Sequence, residues 1–130
     1  MKSTTAFGWA LLAAGILRIF PAQADGDVAA GKKVFAKCMA CHDATTDKNK
    51  VGPSLLGVVG RPAGSVANFN YSNAMKEAGV GGLVWDEANL AEYVKAPKTK
   101  VPGNKMAFPG LKDDADIANV IAYLKADPKP

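Results

Sequence analysis

The chain has a single histidine, His42, and only two cysteines, Cys38 and Cys41, in 130 residues. One histidine excludes any centre that takes two imidazoles from the same chain. Two cysteines three positions apart do not form the framework of distant bridges that would staple an exported domain. Aromatic residues amount to 8% and do not interleave with lysines in a basic stripe, so nucleic acid is not an expected partner. Long hydrophobic runs are missing as well. The apolar stretch Ala6 to Leu17 ends at Arg18, short of the roughly 20 residues that span a bilayer.

That stretch has a different use. Lys2 before it and Ala22-Gln23-Ala24 after it complete the order of an export signal with a small-residue cleavage site. The expected division is a signal peptide over 1–24, cleaved near Ala24, and one domain over 25–130 in the periplasm. Loss of Lys2 and Arg18 leaves fourteen basic residues against twelve acidic ones, so net charge says little about partners. Placement says more. Lys32, Lys33, Lys37, Lys95, Lys98, Lys100, Lys105 and Lys112 flank the chemically distinctive segments, where positive charge would face acidic partners.

Three segments have helical period with start and stop signals. Asp27 is the expected N-cap for a helix in which Val28, Gly31, Val34, Phe35 and Cys38 recur on one face. A second helix starts at Asp86, packs through Leu90, Tyr93 and Val94, and stops before Pro97. The third starts near Asp113 or Asp114, aligns Ile117, Val120, Ile121 and Leu124, and ends with Lys125. A short fourth helix is expected from Ser72 to Ala78, closed by Gly79. Between Asp43 and Tyr71 there is no alternation long enough for a strand, only Gly, Pro, Ser, Asn and Lys. A loop of that length is improbable in a small domain unless a large non-protein group gives it a surface to pack on. Lys98 to Leu111 is irregular too, and it carries Met106.

Cys38-Met39-Ala40-Cys41-His42 has the spacing of covalent haem attachment, in which two thiols add to porphyrin vinyl groups and the next imidazole reaches the iron. Helical spacing brings both sulfurs to one side of a turn. A thioredoxin-like dithiol would need a strand–helix alternation that is missing, and structural zinc would need a fourth ligand. For the other axial position, Met1 leaves with the signal and Met39 is held between the cysteines, so Met75 and Met106 remain. Met106 is favoured because its irregular segment is bounded by Pro102 and Pro109. Met75 has a helical context that favours packing, while a lysine or an open position stays as an alternative. A neutral thioether and a buried site both favour Fe(II), raising the reduction potential. With both axial positions filled, substrate cannot reach iron, which favours electron transfer over enzymatic chemistry.

Together with that run, Gly52-Pro53-Ser54-Leu55, Gly60-Arg61, Tyr71, Trp85, Tyr93, Pro97 and Pro102-Gly103-Asn104-Lys105-Met106-Ala107-Phe108 make the chain, from Gly26 to Leu124, resemble a class I cytochrome c close to bacterial cytochrome c2 and mitochondrial cytochrome c. The resemblance implies an all-α single domain wrapped around one haem c, with His42 and Met106 on the iron. It implies that the Pro53 carbonyl supports His42, that Tyr93 neighbours the Met106 sulfur, and that Arg61, Tyr71 and Trp85 lie near the propionates. Gly31 is expected where the first and last helices cross, near Tyr123. Three departures stand out: Asn104 where threonine is usual, Met75 where asparagine is common, and a longer Gly79 to Leu83 segment.

The expected function is a monomeric shuttle carrying single electrons from a cytochrome bc complex to an oxidase or photosynthetic reaction centre. It would meet these membrane complexes transiently through Lys32, Lys33, Lys37, Lys95, Lys98 and Lys105 around an exposed haem edge. The competing expectations are a haem subunit of a periplasmic dehydrogenase or peroxidase, and a gas-sensing module with a vacant iron site.

Overall fold

Four of the five helices among the described residues begin on a side chain that satisfies a free backbone N–H. The computed structural model describes Gly15, Ile16 and residues 26–130. The expected signal peptide and its cleavage near Ala24 fall on residues that, Gly15 and Ile16 aside, lie outside the described ones. Asp27 accepts from the Ala30 N–H at 2.7 Å and opens α1 (Val28–Phe35). Ser72 accepts from Met75 at 3.0 Å and opens α2 (Asn73–Val80). Asp86 accepts from Asn89 at 2.7 Å and opens α3 (Glu87–Lys95). Asp113 accepts from Ala115 and Asp116 and opens α5 (Asp114–Lys125). Between these last two lies α4 (Pro97–Lys100), which starts on proline rather than on a side-chain cap.

Three boundaries differ from the periodicity. α1 stops at Phe35, and the chain tightens into three-residue turns, with Lys37 donating to Val34 at 3.1 Å and Cys38 to Phe35 at 2.7 Å. α2 runs through Gly79 to Val80, because this glycine is a packing position: a Cβ there would collide with the Ala63 carbonyl. α4 was not expected, since Pro97 has two effects. It ends α3 and, with φ already helical and no N–H to satisfy, is suited to the first position of the next turn.

The core forms where α1 crosses α5. The Gly31 backbone lies against the Asn119 carbonyl and the Tyr123 side chain, with no room for a Cβ. The Asp27 N–H donates to Asn119 Oδ1 at 2.8 Å, and the Phe35 and Tyr123 rings pack at a tilt with centroids 5.3 Å apart. The expected apolar face of α5 is buried: Ile117, Val120, Ile121 and Leu124 all lie in the core. This is an all-α domain. No strand runs through the described residues; extended pairing is limited to the Pro62–Val84 bridge.

The long segment after His42 holds no helix, yet it is fastened at many points. The Asp43 carboxylate accepts from the backbone N–H and hydroxyl groups of Thr45 and Thr46, which hold it at about 2. Asn49 Oδ1 accepts from Ser54 at 2.9 Å while its Nδ2 donates to Ala67 at 3.1 Å, drawing two stretches of the loop together. The bridge is flanked by bonds from Gly60 to the Trp85 carbonyl at 2.8 Å, Trp85 to Arg61 at 2.9 Å and Ala63 to Leu83 at 2.9 Å. Gly82, at φ +98°, turns the Gly79 to Leu83 segment into that ladder. No helix of the described residues is long and apolar enough to cross a membrane.

Gly31→Ala is expected to force α1 off α5 and to lower stability by ~1–3 kcal/mol, the usual cost of overfilling a packed interface. A fall in the denaturant midpoint at unchanged slope checks this; an unshifted midpoint would show that the crossing relaxes freely.

Candidate haem site

The turn after α1 closes with His42 donating its backbone N–H to the Cys38 carbonyl at 2.9 Å and Cys41 donating to the same oxygen at 3.1 Å. Cys38, Cys41 and His42 therefore share one turn of chain, and all three line the same cavity. The following loop docks onto it. Gly52 donates to the Cys41 carbonyl at 2.8 Å, and His42 Nδ1 lies 2.8 Å from the Pro53 carbonyl. A carbonyl only accepts, so Nδ1 carries the proton and Nε2 keeps its lone pair. Burial lowers the His42 pKa, with the Pro53 bond acting in the opposite direction; the neutral form is the one that can bind a metal. Gly52 explains how the loop comes so close: a Cβ there would penetrate the imidazole ring. Its place in the motif was legible in the sequence, but its contact with His42 was not, because a glycine before a proline reads simply as a turn.

The cavity has a volume of about 590 Å³, within the range of cofactor pockets. Its apolar wall includes Phe35, Leu55, Val58, Leu90, Val94 and Phe108. No well-packed protein interior leaves such a space for itself. Met106 also lines it, with the Tyr93 hydroxyl donating to its sulfur at 4.0 Å. Burial pushes Tyr93 up to about 12, so the phenol stays a donor. Trp85 packs on Tyr93 with ring centroids 4.8 Å apart. Met75, expected to pack beside the ligand rather than to bind iron, is buried and lines the cavity.

Arg61 gives the sharpest test of what the cavity takes. Its Nη1 donates to the carbonyls of Ser54 at 3.0 Å and Leu56 at 3.3 Å, while its buried Nε–H has no partner in the protein. A buried, orphaned guanidinium donor calls for an acceptor, and an anionic one answers best. Tyr71 lines the same wall; its hydroxyl accepts from the Val66 N–H at 3.0 Å, leaving its own proton to donate elsewhere. Together with the Cys-x-x-Cys-His turn, these donors fit a haem: thiols for attachment, an imidazole nitrogen for iron and polar groups for carboxylates.

Asn104 lines the cavity but turns its amide to the backbone. Nδ2 donates to Pro97 at 2.9 Å and Val101 at 2.8 Å, and Oδ1 accepts from the Met106 N–H at 2.9 Å. The lysines divide into groups. Lys37 and Lys105 are exposed and line the cavity, and Lys32 and Lys33 are exposed on α1. Lys95 is paired with Asp114 at 3.1 Å, and Lys98 donates to the Asn104 carbonyl at 2.9 Å. Lys100 is held by Glu92 and Asn89.

Comparison with known proteins agrees with this chemistry. The family model described as cytochrome c matches residues 28–126. The cytochrome c2 of Agrobacterium tumefaciens is 50% identical over 109 residues, covering 82% of this chain and 98% of that protein. The cytochrome c2 of Rhodoblastus acidophilus is 55% identical over 106 residues, covering 78% and 96%. The solved structure of cytochrome c2 from Rhodospirillum centenum superposes with a TM-score of 0.75 at 39% identity, covering 81% of this chain and all of that one. With an attachment turn, a cavity to match and these relatives, the chain belongs to the cytochrome c family, close to bacterial cytochrome c2, as a haem c protein that carries electrons and is not an enzyme.

Proposed function

We propose that residues 25–130 form a periplasmic electron shuttle between a cytochrome bc complex and an oxidase or photosynthetic reaction centre, exported by a signal over 1–24. The observation that carries this is the convergence of Cys38, Cys41, His42, Met106 and the unpartnered Arg61 Nε on one cavity. Haem c, when bound, supplies a one-electron Fe(II)/Fe(III) couple. Cys38 and Cys41 hold it covalently. His42 binds iron through Nε2, its ring kept in place by the Pro53 carbonyl and by Gly52. Met106 supplies the thioether, oriented by the Tyr93 hydroxyl. Arg61 and Tyr71 donate to a propionate, with Trp85 beside them.

Electron exchange is assigned to the side of the cavity lined by the exposed Lys37 and Lys105. These two ammonium groups steer acidic redox proteins into weak, salt-sensitive encounters. Lys32 and Lys33 extend the field along α1. Lys95, already paired with Asp114, contributes less than its place in the sequence implies.

Optical and mass measurements test the assignment. Protein made with haem-attachment machinery should gain the mass of one haem and, when oxidised, show the weak red-edge band of a sulfur–iron(III) bond. Met106→Ala should lose that band and, once reduced, bind carbon monoxide that the parent excludes. A band that survives in Met106→Ala would transfer the ligand role to Met75.

The rate constant with an acidic redox protein should fall about tenfold between low and physiological ionic strength. Lys37→Glu and Lys105→Glu should slow it more than Lys95→Glu. A rate indifferent to salt would remove the lysine-steering mechanism.

Met75 keeps the pocket apolar where a polar residue would admit water. Met75→Asn should lower the reduction potential, by roughly 40 mV for each ~1 kcal/mol of preference gained by Fe(III). A redox titration giving an equal or higher value for the variant would refute this.

A further inference from the structure

The segment that carries Met106 contains a device that none of its neighbours in sequence announces. Val101-Pro102-Gly103-Asn104 is a turn with proline at its second position and Gly103 at φ +87° at its third, closed by Asn104 N–H donating to the Val101 carbonyl at 3.1 Å. This is the pattern of a type II turn. α4 enters it, and the carbonyl of Pro97 at its start already receives the Val101 N–H at 3.0 Å. The buried Asn104 side chain gives that carbonyl and the one that closes the turn a second donor each. Its two N–H groups go to Pro97 and Val101, and its carbonyl oxygen receives the N–H of Met106 itself. Lys98, one turn back, donates to the Asn104 carbonyl from outside.

An asparagine amide offers two donors and an acceptor in one rigid plane. Here all three are used within the ligand-bearing segment. The result joins the start of α4, the corner of the turn and the backbone of Met106 through one side chain. Without it, Met106 would be held by its sulfur and by the flanking chain alone.

We infer that Asn104 is a positioning residue that retains Met106 at the iron, acting through its hydrogen bonds to the backbone; this rests on the proposal that Met106 is the axial ligand. The clamp lowers the rate and extent of Met106 release, and so sets how readily a small external ligand can take its place.

Imidazole binding to the oxidised, haem-loaded protein measures this directly, because the added ligand binds only where the thioether has left. Each hydrogen bond lost is worth roughly two- to tenfold. Asn104→Ala is expected to bind imidazole at least about tenfold more tightly than the parent. Asn104→Thr, whose hydroxyl replaces one donor, is expected to fall between them. Gly31→Ala is the control: it weakens the α1–α5 crossing and should leave imidazole affinity unchanged. Equal affinity in the parent and Asn104→Ala would overturn the inference. So would an equal rise in Gly31→Ala, which would trace Met106 release to general instability. A parent without the sulfur–iron band would instead bring down the Met106 assignment, and the clamp with it.

Discussion

The site depends first on the docking of residues 52 to 55 onto the turn that follows α1. Cys41 receives the Gly52 N–H, Asp43 receives that of Leu55 at 2.7 Å, and Pro53 holds His42 Nδ1. These bonds are local in space but join segments about ten residues apart, so the long irregular loop begins from a fixed anchor. Gly52 makes the approach possible by lacking a Cβ. A single bond thus chooses the tautomer of the only histidine and directs its free nitrogen to metal binding.

The rest of the domain brings the other wall into place. α1 and α5 cross at Gly31 and support the attachment turn from below, while α3 presents Tyr93 and α4 leads into the Met106 turn. A ladder of three backbone bonds between residues 60–63 and 83–85 fixes Arg61 beside Trp85. The elements are short and the loops long because part of the interior they enclose is left open for a cofactor. A cavity of about 590 Å³ is far larger than the voids that packing tolerates, so the haem that fills it belongs to the core. Cofactor loading and folding stability are linked for the same reason.

Chemical identity and local structure were legible in the residues themselves. The Cys-x-x-Cys-His spacing names its cofactor, and the lone histidine rules out a second imidazole. Asp27, Ser72, Asp86 and Asp113 mark helix starts because a cap needs only three residues of local chain. The apolar stripe of α5 was readable from its period. What could not be read were contacts made across the chain. Gly79 looked like a terminator and is instead a packing position, since its meaning depends on the Ala63 carbonyl sixteen residues away. Likewise Pro97 read only as a stop, because whether a new turn follows depends on what receives its carbonyls.

Sequence alone pointed to the cofactor, to two cysteines and a histidine in its attachment spacing, and to the location of the main helices, since each of these depends on residue type at close spacing. Tertiary structure decided which lysines are free and which are paired, that Arg61 keeps one donor without a protein partner, and that Asn104 grips the Met106 backbone. Those facts depend on distances between segments far apart in the chain, and residue spacing does not encode them; only the packed fold sets them.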